Sequence, residues 1–120
     1  MMSNQPLHIK TYPQRGYGAH QTVVALHGWG LNNAMWAQTA QAMQESAEIH
    51  CIDLPGHGKS TLEDDYKRPK IGLLQHSIDR LAAVISSIEK PVTLMGWSLG
   101  GHVAMHFAMQ HPALLSNLIF

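Results

Sequence analysis

Short apolar runs alternate along the chain with longer segments whose apolar residues recur every three or four positions. Short runs rich in Val and Ile and bounded by Gly or Pro are typical of strands, and runs without polar alternation are typical of strands buried in a parallel sheet. The predicted strands are Leu7–Tyr12, Thr22–Leu26, Ile49–Ile52, Val92–Met95 and Leu118–Phe120.

Three amphipathic helices are predicted between these strands. Asn32 or Asn33 is a suitable cap for the first helix, the second ends before Pro91, and the third stops at His111 and Pro112. The apolar positions are Trp36, Ala40 and Met43, then Leu74, Ile78, Leu81, Ile85 and Ile88, then Val103, Ala104, Phe107 and Ala108. Alternating strands and helices predict an α/β fold, with a mostly parallel sheet covered by helices on both faces.

Residues 96–100 read Gly-Trp-Ser-Leu-Gly and match the G-x-S-x-G pattern of a nucleophile elbow. They follow a predicted strand and precede a predicted helix, which is the context that the pattern requires. A turn this sharp strains the backbone of the serine, and Gly96 and Gly100 leave room where side chains would collide. We therefore predict that Ser98 is a catalytic nucleophile; the alternative is a turn that only caps the helix.

Two backbone N–H groups are candidates for binding the negative oxygen of a tetrahedral intermediate. The N–H of Leu99 opens the third helix, where the positive end of the helix dipole favours an anion. The loop after Thr22–Leu26 reads His-Gly-Trp-Gly. Gly28 and Gly30 give this loop the flexibility to aim the N–H of Trp29 at the same oxygen, so we predict an oxyanion hole formed by Trp29 and Leu99.

Two tryptophans flank the predicted catalytic groups, at positions 29 and 97. Large aromatic side chains beside a nucleophile are candidate walls of an acyl-binding pocket, so we predict that Trp29 and Trp97 contact the substrate. Filling core volume is an equally good interpretation of either side chain. The predicted role of the Trp29 backbone does not depend on which interpretation is correct.

Other polar groups are better explained by structure than by chemistry. Residues 53–60, Asp-Leu-Pro-Gly-His-Gly-Lys-Ser, are predicted to form a structural loop, and the mixed charges at 63–70 a solvated one. His102 and His106 have the spacing of helical metal ligands. Because no acidic residue lies near them in sequence, we expect surface histidines and predict no metal site. Cys51 is the only cysteine, which excludes an intrachain disulfide, and its apolar neighbours predict a buried thiol.

Charge and hydropathy exclude several functional classes. Eight Lys and Arg balance eight Asp and Glu, with no basic block, so no nucleic-acid partner is predicted. The first twenty residues contain no apolar run of signal-peptide length, and no stretch approaches the roughly 18 apolar residues that cross a bilayer. We therefore predict a cytoplasmic protein without a membrane partner.

The motifs at 27–30, 53–60 and 96–101 together resemble the α/β-hydrolase superfamily. Within it, Leu-His-Gly-Trp-Gly-Leu-Asn at 26–32 and Gly-Trp-Ser-Leu-Gly-Gly at 96–101 are similar to the pimeloyl-[acyl-carrier protein] methyl ester carboxylesterases of biotin synthesis. The resemblance implies ester hydrolysis through an acyl-Ser98 intermediate, without a metal or organic cofactor. It implies a small-molecule or carrier-bound acyl ester as substrate, with acyl-carrier protein as the candidate partner.

The resemblance covers about half of such an enzyme, whose single domain has roughly 250 residues. It implies that residues 1–120 are the N-terminal portion of one α/β-hydrolase domain, ending after about the sixth strand, before the cap and before the triad acid and histidine. A C-terminus within an apolar strand would leave an unpaired sheet edge, which native proteins avoid. We therefore expect Phe120 to be a truncation point and the chain to be inactive alone.

Other functions remain compatible with the same motifs. A general short-chain carboxylesterase, a thioesterase and a C–C hydrolase use the same scaffold and nucleophile, whereas the dehalogenase and epoxide hydrolase branches use an Asp where this chain has Ser98. A fragment that keeps the fold and serves only for binding is the alternative from another class.

Overall fold

Five strands form a single sheet in the computed structural model, which describes residues 7–61 and 72–120. They are β1 (Ile9–Tyr12), β2 (Thr22–Leu26), β3 (Glu48–Ile52), β4 (Val92–Gly96) and β5 (Leu115–Ile119). Their order across the sheet is β1-β3-β2-β4-β5. Only the β1–β3 pair is antiparallel, so the predicted mostly parallel sheet is confirmed. The described residues hold five strands, one fewer than the approximately six that the resemblance implies.

The helices lie where the apolar periodicity predicts them. A 3₁₀ turn, Asn33–Trp36, leads into α1 (Ala37–Met43), followed by α2 (Leu73–Ser86) and α3 (Leu99–Gln110). The side chain of Asn32 caps the first of these turns by accepting a hydrogen bond from the N–H of Ala34 at 2.9 Å. No helix within the described ranges has the length and apolar character needed to cross a membrane.

The core divides into two apolar layers, one on each face of the sheet. Because side chains alternate along a strand, Val24 and Leu26 of β2 face one layer while Val23 and Ala25 face the other. The first layer packs against α2 and α3, and the second packs against α1. Helices therefore cover both faces, as predicted. Cys51 is buried in the second layer, as predicted, and burial raises the pKa of its thiol to about 11, which disfavours the reactive thiolate.

The predicted start of the last strand at Leu118 is wrong. The strand β5 begins at Leu115, whose backbone lies opposite Val92 of β4. β5 is an edge strand with exposed Ser116 and Asn117, so its first half lacks the apolar pattern that marks a buried strand. The first strand, at the opposite edge, is shorter than predicted and begins at Ile9. The predicted solvated loop at 63–70 lies outside the described residues.

Candidate active site

The candidate site lies where the sheet topology changes direction. The strand β2 is flanked by β3 on one side and by β4 on the other, and all three run parallel. Connections that leave neighbouring parallel strands in opposite directions open a crevice beyond their carboxyl ends. Leu26 and Gly96 are paired at these ends. The loops that follow them, which carry Trp29 and Ser98, therefore meet at the same point.

Ser98 occupies a sharp turn between β4 and α3. Its backbone angles are φ 54° and ψ −114°, and it is the one non-glycine residue with positive φ among those that the structure describes. Such a conformation is costly for a residue with a side chain and is typical of functional sites. The residue is exposed at the carboxyl edge of the sheet. The expected strand–turn–helix context of the G-x-S-x-G pattern is therefore present.

The glycines around Ser98 are required by backbone packing. A Cβ atom on Gly96 would collide with the carbonyl group of Gly100 across the turn. A Cβ atom on Gly100 would collide with the carbonyl oxygen of Leu26, at the end of β2. These clashes involve backbone atoms, which cannot move aside without displacing a strand or a helix. The sheet and α3 can approach this closely only because both positions lack side chains.

The first turn of α3 presents backbone donors beside Ser98. The N–H of Leu99 is the first of the helix, and the opening N–H groups of a helix have no acceptor within it. The N–H of Gly100 donates to the carbonyl of Trp97 at 2.9 Å, and the N–H of His102 donates to the carbonyl of Ser98 at 3.0 Å. The positive end of the helix dipole favours negative charge at this place.

The loop that follows β2 turns directly beside the elbow. The N–H of Leu31 donates to the carbonyl of Gly28 at 3.1 Å, which closes a four-residue turn with Trp29 and Gly30 at its centre. Gly30 has φ 76°, a conformation that the third position of a type II turn requires. A Cβ atom on Gly28 would lie 3.4 Å from the Cβ atom of Ser98. The backbone that carries the Trp29 N–H thus runs alongside the candidate nucleophile.

Both tryptophans are exposed at this end of the sheet. The exposed fraction is 71% for Trp29 and 60% for Trp97, so neither indole fills core volume among the described residues. A Cβ atom on Gly28 would lie 3.1 Å from Cδ1 of Trp97, which places that indole against the loop after β2. The two side chains offer exposed aromatic surface at the end of the sheet where Ser98 lies.

The loop at residues 53–60 is structural, as predicted. The Asp53 carboxylate accepts hydrogen bonds from the N–H of Asn33 at 2.7 Å and from that of Lys59 at 3.0 Å. The Ser60 hydroxyl donates to the carbonyl of Asp53 at 2.6 Å and accepts the N–H of His8 at 2.9 Å. These side-chain bonds satisfy the backbone of a tight turn.

His27 joins the two loops, a role that the sequence interpretation missed. The side chain is fully buried. Its Nδ1 lies 2.7 Å from the carbonyl oxygen of Gly28, and its Nε2 accepts the N–H of Leu54 at 3.0 Å. Both ring nitrogens are thereby occupied by backbone groups, so His27 has none left for Ser98. The position of His27 at the end of a buried strand is the only sequence signal for this role.

The histidine pair on α3 shows no further ligands. The rings of His102 and His106 lie 4.6 Å apart between centroids. Across residues 7–61 and 72–120, no three His, Cys, Asp or Glu side chains converge as a metal site requires. Neither His102 nor His106 is buried.

Several curated relatives of the chain are pimeloyl-[acyl-carrier protein] methyl ester esterases. The chain is 38% identical over 105 residues to the pimeloyl-[acyl-carrier protein] methyl ester esterase of Vibrio cholerae serotype O1, covering 85% of this chain and 36% of that protein. It is 34% identical over 103 residues to the enzyme of the same name from Nitrosospira multiformis, covering 85% and 38%. The chain thus spans little more than a third of the length of these relatives.

Solved structures share the fold at lower identity. A marine microorganism esterase superimposes with a TM-score of 0.78 at 22% identity, covering 95% of this chain and 41% of that one. An epoxide hydrolase from an endophytic Streptomyces gives 0.77 at 19% identity, covering 94% and 33%. The profile of the Alpha/beta hydrolase family matches residues 23–119, which include β2, the elbow and α3. The chain belongs to the alpha/beta hydrolase family.

Proposed function

We propose that this chain is the nucleophile-bearing part of a serine carboxylic ester hydrolase, with Ser98 as the attacking residue. The observation that carries the proposal is the strained, exposed conformation of Ser98 between β4 and α3, at the crevice of the sheet. Strain at a non-glycine position is maintained only where the surrounding structure enforces it. Here the turn is closely packed, with the backbone of Gly96 against that of Gly100 and the backbone of Gly100 against the end of β2.

The proposed reaction proceeds through a covalent acyl-enzyme. The Oγ atom of Ser98 attacks the ester carbonyl carbon while a histidine base takes the hydroxyl proton. The carbonyl oxygen becomes negatively charged, and the N–H groups of Trp29 and Leu99 donate to it. The intermediate collapses as the C–O bond to the alcohol breaks, and the histidine returns its proton to the departing alcohol. Water then hydrolyses the acyl-Ser98 ester by the same steps.

The proposed substrate is the methyl ester of a pimeloyl group on acyl-carrier protein, in biotin synthesis. The names of the curated relatives support this substrate class. The exposed indoles of Trp29 and Trp97 supply apolar surface beside Ser98 for an acyl chain. Methanol is a small leaving group, so the acyl part of the ester provides most of the binding surface. The reaction would leave a free carboxylate and methanol.

We further propose that residues 1–120 are the N-terminal portion of a single α/β-hydrolase domain. The support is the coverage: the chain is matched over 85% of its own length and only 36% of the Vibrio cholerae relative. In such a protein the triad acid and histidine would follow Ser98 in chain order. The proposed activity is therefore assigned to the complete protein that contains this chain.

A genetic experiment tests the proposed substrate. The complete gene is expressed in a bacterium that lacks its own enzyme for this step, and growth is measured without biotin. We expect growth with the wild-type protein and none with Ser98→Ala at equal soluble expression. Absence of growth from a soluble protein that cleaves short model esters would contradict the substrate and indicate a general short-chain carboxylesterase.

A further inference from the structure

The peptide group between Gly28 and Trp29 is held in place by hydrogen bonds to its carbonyl oxygen. Its carbonyl oxygen accepts the N–H of Leu31 at 3.1 Å and also lies 2.7 Å from Nδ1 of His27. A carbonyl oxygen can only accept, so Nδ1 of His27 carries a proton and donates it. Two donors thus fix the direction of this one carbonyl group.

The second ring nitrogen of His27, Nε2, shows which protonation state the side chain has. Nε2 of His27 accepts the N–H of Leu54 at 3.0 Å, which requires a lone pair on Nε2. His27 is therefore neutral, with its proton on Nδ1. A proton on Nε2 would place two hydrogen-bond donors opposite each other, the Nε2–H of His27 and the N–H of Leu54. The hydrogen bond between His27 and the loop at 53–60 would then be lost.

The surroundings of His27 favour this neutral form. Burial lowers the pKa of His27 below its ordinary value of 6.5, and the hydrogen bond to Gly28 opposes that effect. The nearby His57, with ring centroids 4.9 Å apart, lowers the pKa further, whereas the carboxylate of Asp53 raises it. That carboxylate already accepts hydrogen bonds from the backbone N–H groups of Asn33 and Lys59.

The geometry of a peptide bond connects this ring to the candidate oxyanion hole. The C=O and N–H of a trans peptide lie in one plane and point in opposite directions. We propose that His27 is a positioning residue: by holding the Gly28 carbonyl, it aims the N–H of Trp29 at the oxyanion that forms over Ser98. This inference rests on the proposed function, and it adds the residue that orients one of its two donors.

A neighbour of Trp29 reinforces the same arrangement. The His57 ring lies edge-on to the Trp29 indole, with centroids 5.3 Å apart, and it also contacts His27. The ring Nδ1 of His57 lies 3.1 Å from the Pro55 carbonyl, so the loop at 53–60 holds it in place. The loop at 53–60 therefore supports the turn at Gly28–Leu31 through both His27 and His57.

Kinetics of matched variants in the complete enzyme test the inference. We expect His27→Phe, which keeps a ring but loses both bonds, to lower kcat on a model ester by about 10- to 100-fold, with KM within about twofold. The loss is smaller than the 10²- to 10³-fold cost of deleting an oxyanion donor, because the N–H remains but is misdirected. We expect His27→Gln, which can donate to Gly28, to recover part of the rate.

His50→Phe is the matched control. His50 is also buried and also uses both ring nitrogens, toward Thr11 and Glu48, but it lies within β3 rather than in a loop of the candidate site. We expect it to lower the free energy of unfolding about as much as His27→Phe while leaving kcat unchanged. Equal kcat in the two variants would overturn the inference and leave His27 with a purely structural role.

Nitrogen NMR of the complete protein separates this inference from the proposed function. At neutral pH we expect His27 to show a protonated Nδ1 and an unprotonated, hydrogen-bonded Nε2, and the amide signal of Trp29 to shift in His27→Phe more than in His50→Phe. A proton on Nε2, or an unmoved Trp29 amide, would overturn the inference even if the enzyme is an esterase. Absence of Ser98-dependent turnover in the complete wild-type protein would instead contradict the proposed function.

Discussion

Two serines in glycine-containing loops at the same end of the sheet have opposite environments. Ser60, in the loop after β3, is buried, and its hydroxyl both donates to Asp53 and accepts from His8. Ser98, in the loop after β4, is exposed and has a strained backbone at the start of a helix. Satisfied hydrogen bonds make Ser60 a structural residue, whereas exposure beside free backbone donors makes Ser98 available for chemistry. Residue type alone does not distinguish them, but context does.

The largest expected effect separates the two serines by activity. In the complete protein, we expect Ser98→Ala to lower kcat on a model ester by about 10⁴- to 10⁶-fold, because no nucleophile remains. Ser60→Ala should leave kcat within a few fold, since its hydroxyl faces the backbone of its own loop. Steady-state kinetics of both purified variants measure the difference. A large loss of kcat in Ser60→Ala with Ser98→Ala unaffected would reverse the assignment.

The next effect concerns the backbone N–H of Trp29, the candidate oxyanion donor in the loop after β2. We expect Trp29→Pro, which removes the backbone N–H, to lower kcat by about 10²- to 10³-fold. Trp29→Ala keeps the N–H and is the control, because proline can also distort the turn at Gly28–Leu31. If both variants lose the same activity in single-turnover kinetics, the indole is what matters and the backbone role is unsupported.

A smaller effect concerns stability, where we expect the substitution of Ser60 to matter more than that of Ser98. We expect Ser60→Ala to lower the free energy of unfolding by about 1–3 kcal/mol, because it leaves the buried Asp53 carbonyl and the His8 N–H without their partner. Ser98→Ala should change it by less than about 0.5 kcal/mol, since an exposed hydroxyl is replaced and the strain persists. Urea unfolding of the complete protein supplies both values. Equal destabilisation by the two variants would contradict the assignment of a structural role to Ser60 and not to Ser98.

The smallest effect is a pH dependence that depends on His27. The pKa of His27 is lowered in the folded state. As pH falls below the ordinary value of 6.5, His27 therefore becomes protonated in the unfolded chain while it stays neutral in the folded chain, and protonation favours the unfolded state. Wild-type stability should therefore fall relative to His27→Gln, which cannot titrate. The difference in free energy of unfolding should shrink by at most about 1.4 kcal/mol per pH unit between pH 6.5 and 5. A difference independent of pH would contradict the neutral buried state.

Much of this arrangement can be predicted from sequence, because the buried parallel strands carry a clear signal. Thr22–Leu26 is rich in β-branched and apolar residues, and the structure places it as a strand buried along its whole length. The elbow is equally recognisable, since glycines at 96 and 100 are needed wherever a strand, a sharp turn and a helix meet. The start of β5 could not be predicted, because Ser116 and Asn117 are exposed at a sheet edge and interrupt the apolar pattern.

The role of His27 could not be predicted for a different reason. Its bond to Leu54 joins residues 27 positions apart, and no local pattern encodes such a contact. The resemblance implies a triad histidine beyond residue 120, and no local sequence pattern indicates which groups the buried ring of His27 contacts. Only the positions of Gly28 and Leu54 around the ring show that both nitrogens form hydrogen bonds with backbone groups.

Labelling the nucleophile tests the central claim most directly. The complete protein is treated with a fluorophosphonate, which reacts with activated serines, and the modified peptide is sequenced by mass spectrometry. We expect a single adduct on the Oγ atom of Ser98, absent from Ser98→Ala and retained in Ser60→Ala. An adduct on Ser60 or on any other serine, with Ser98 unmodified in an active protein, would contradict the account.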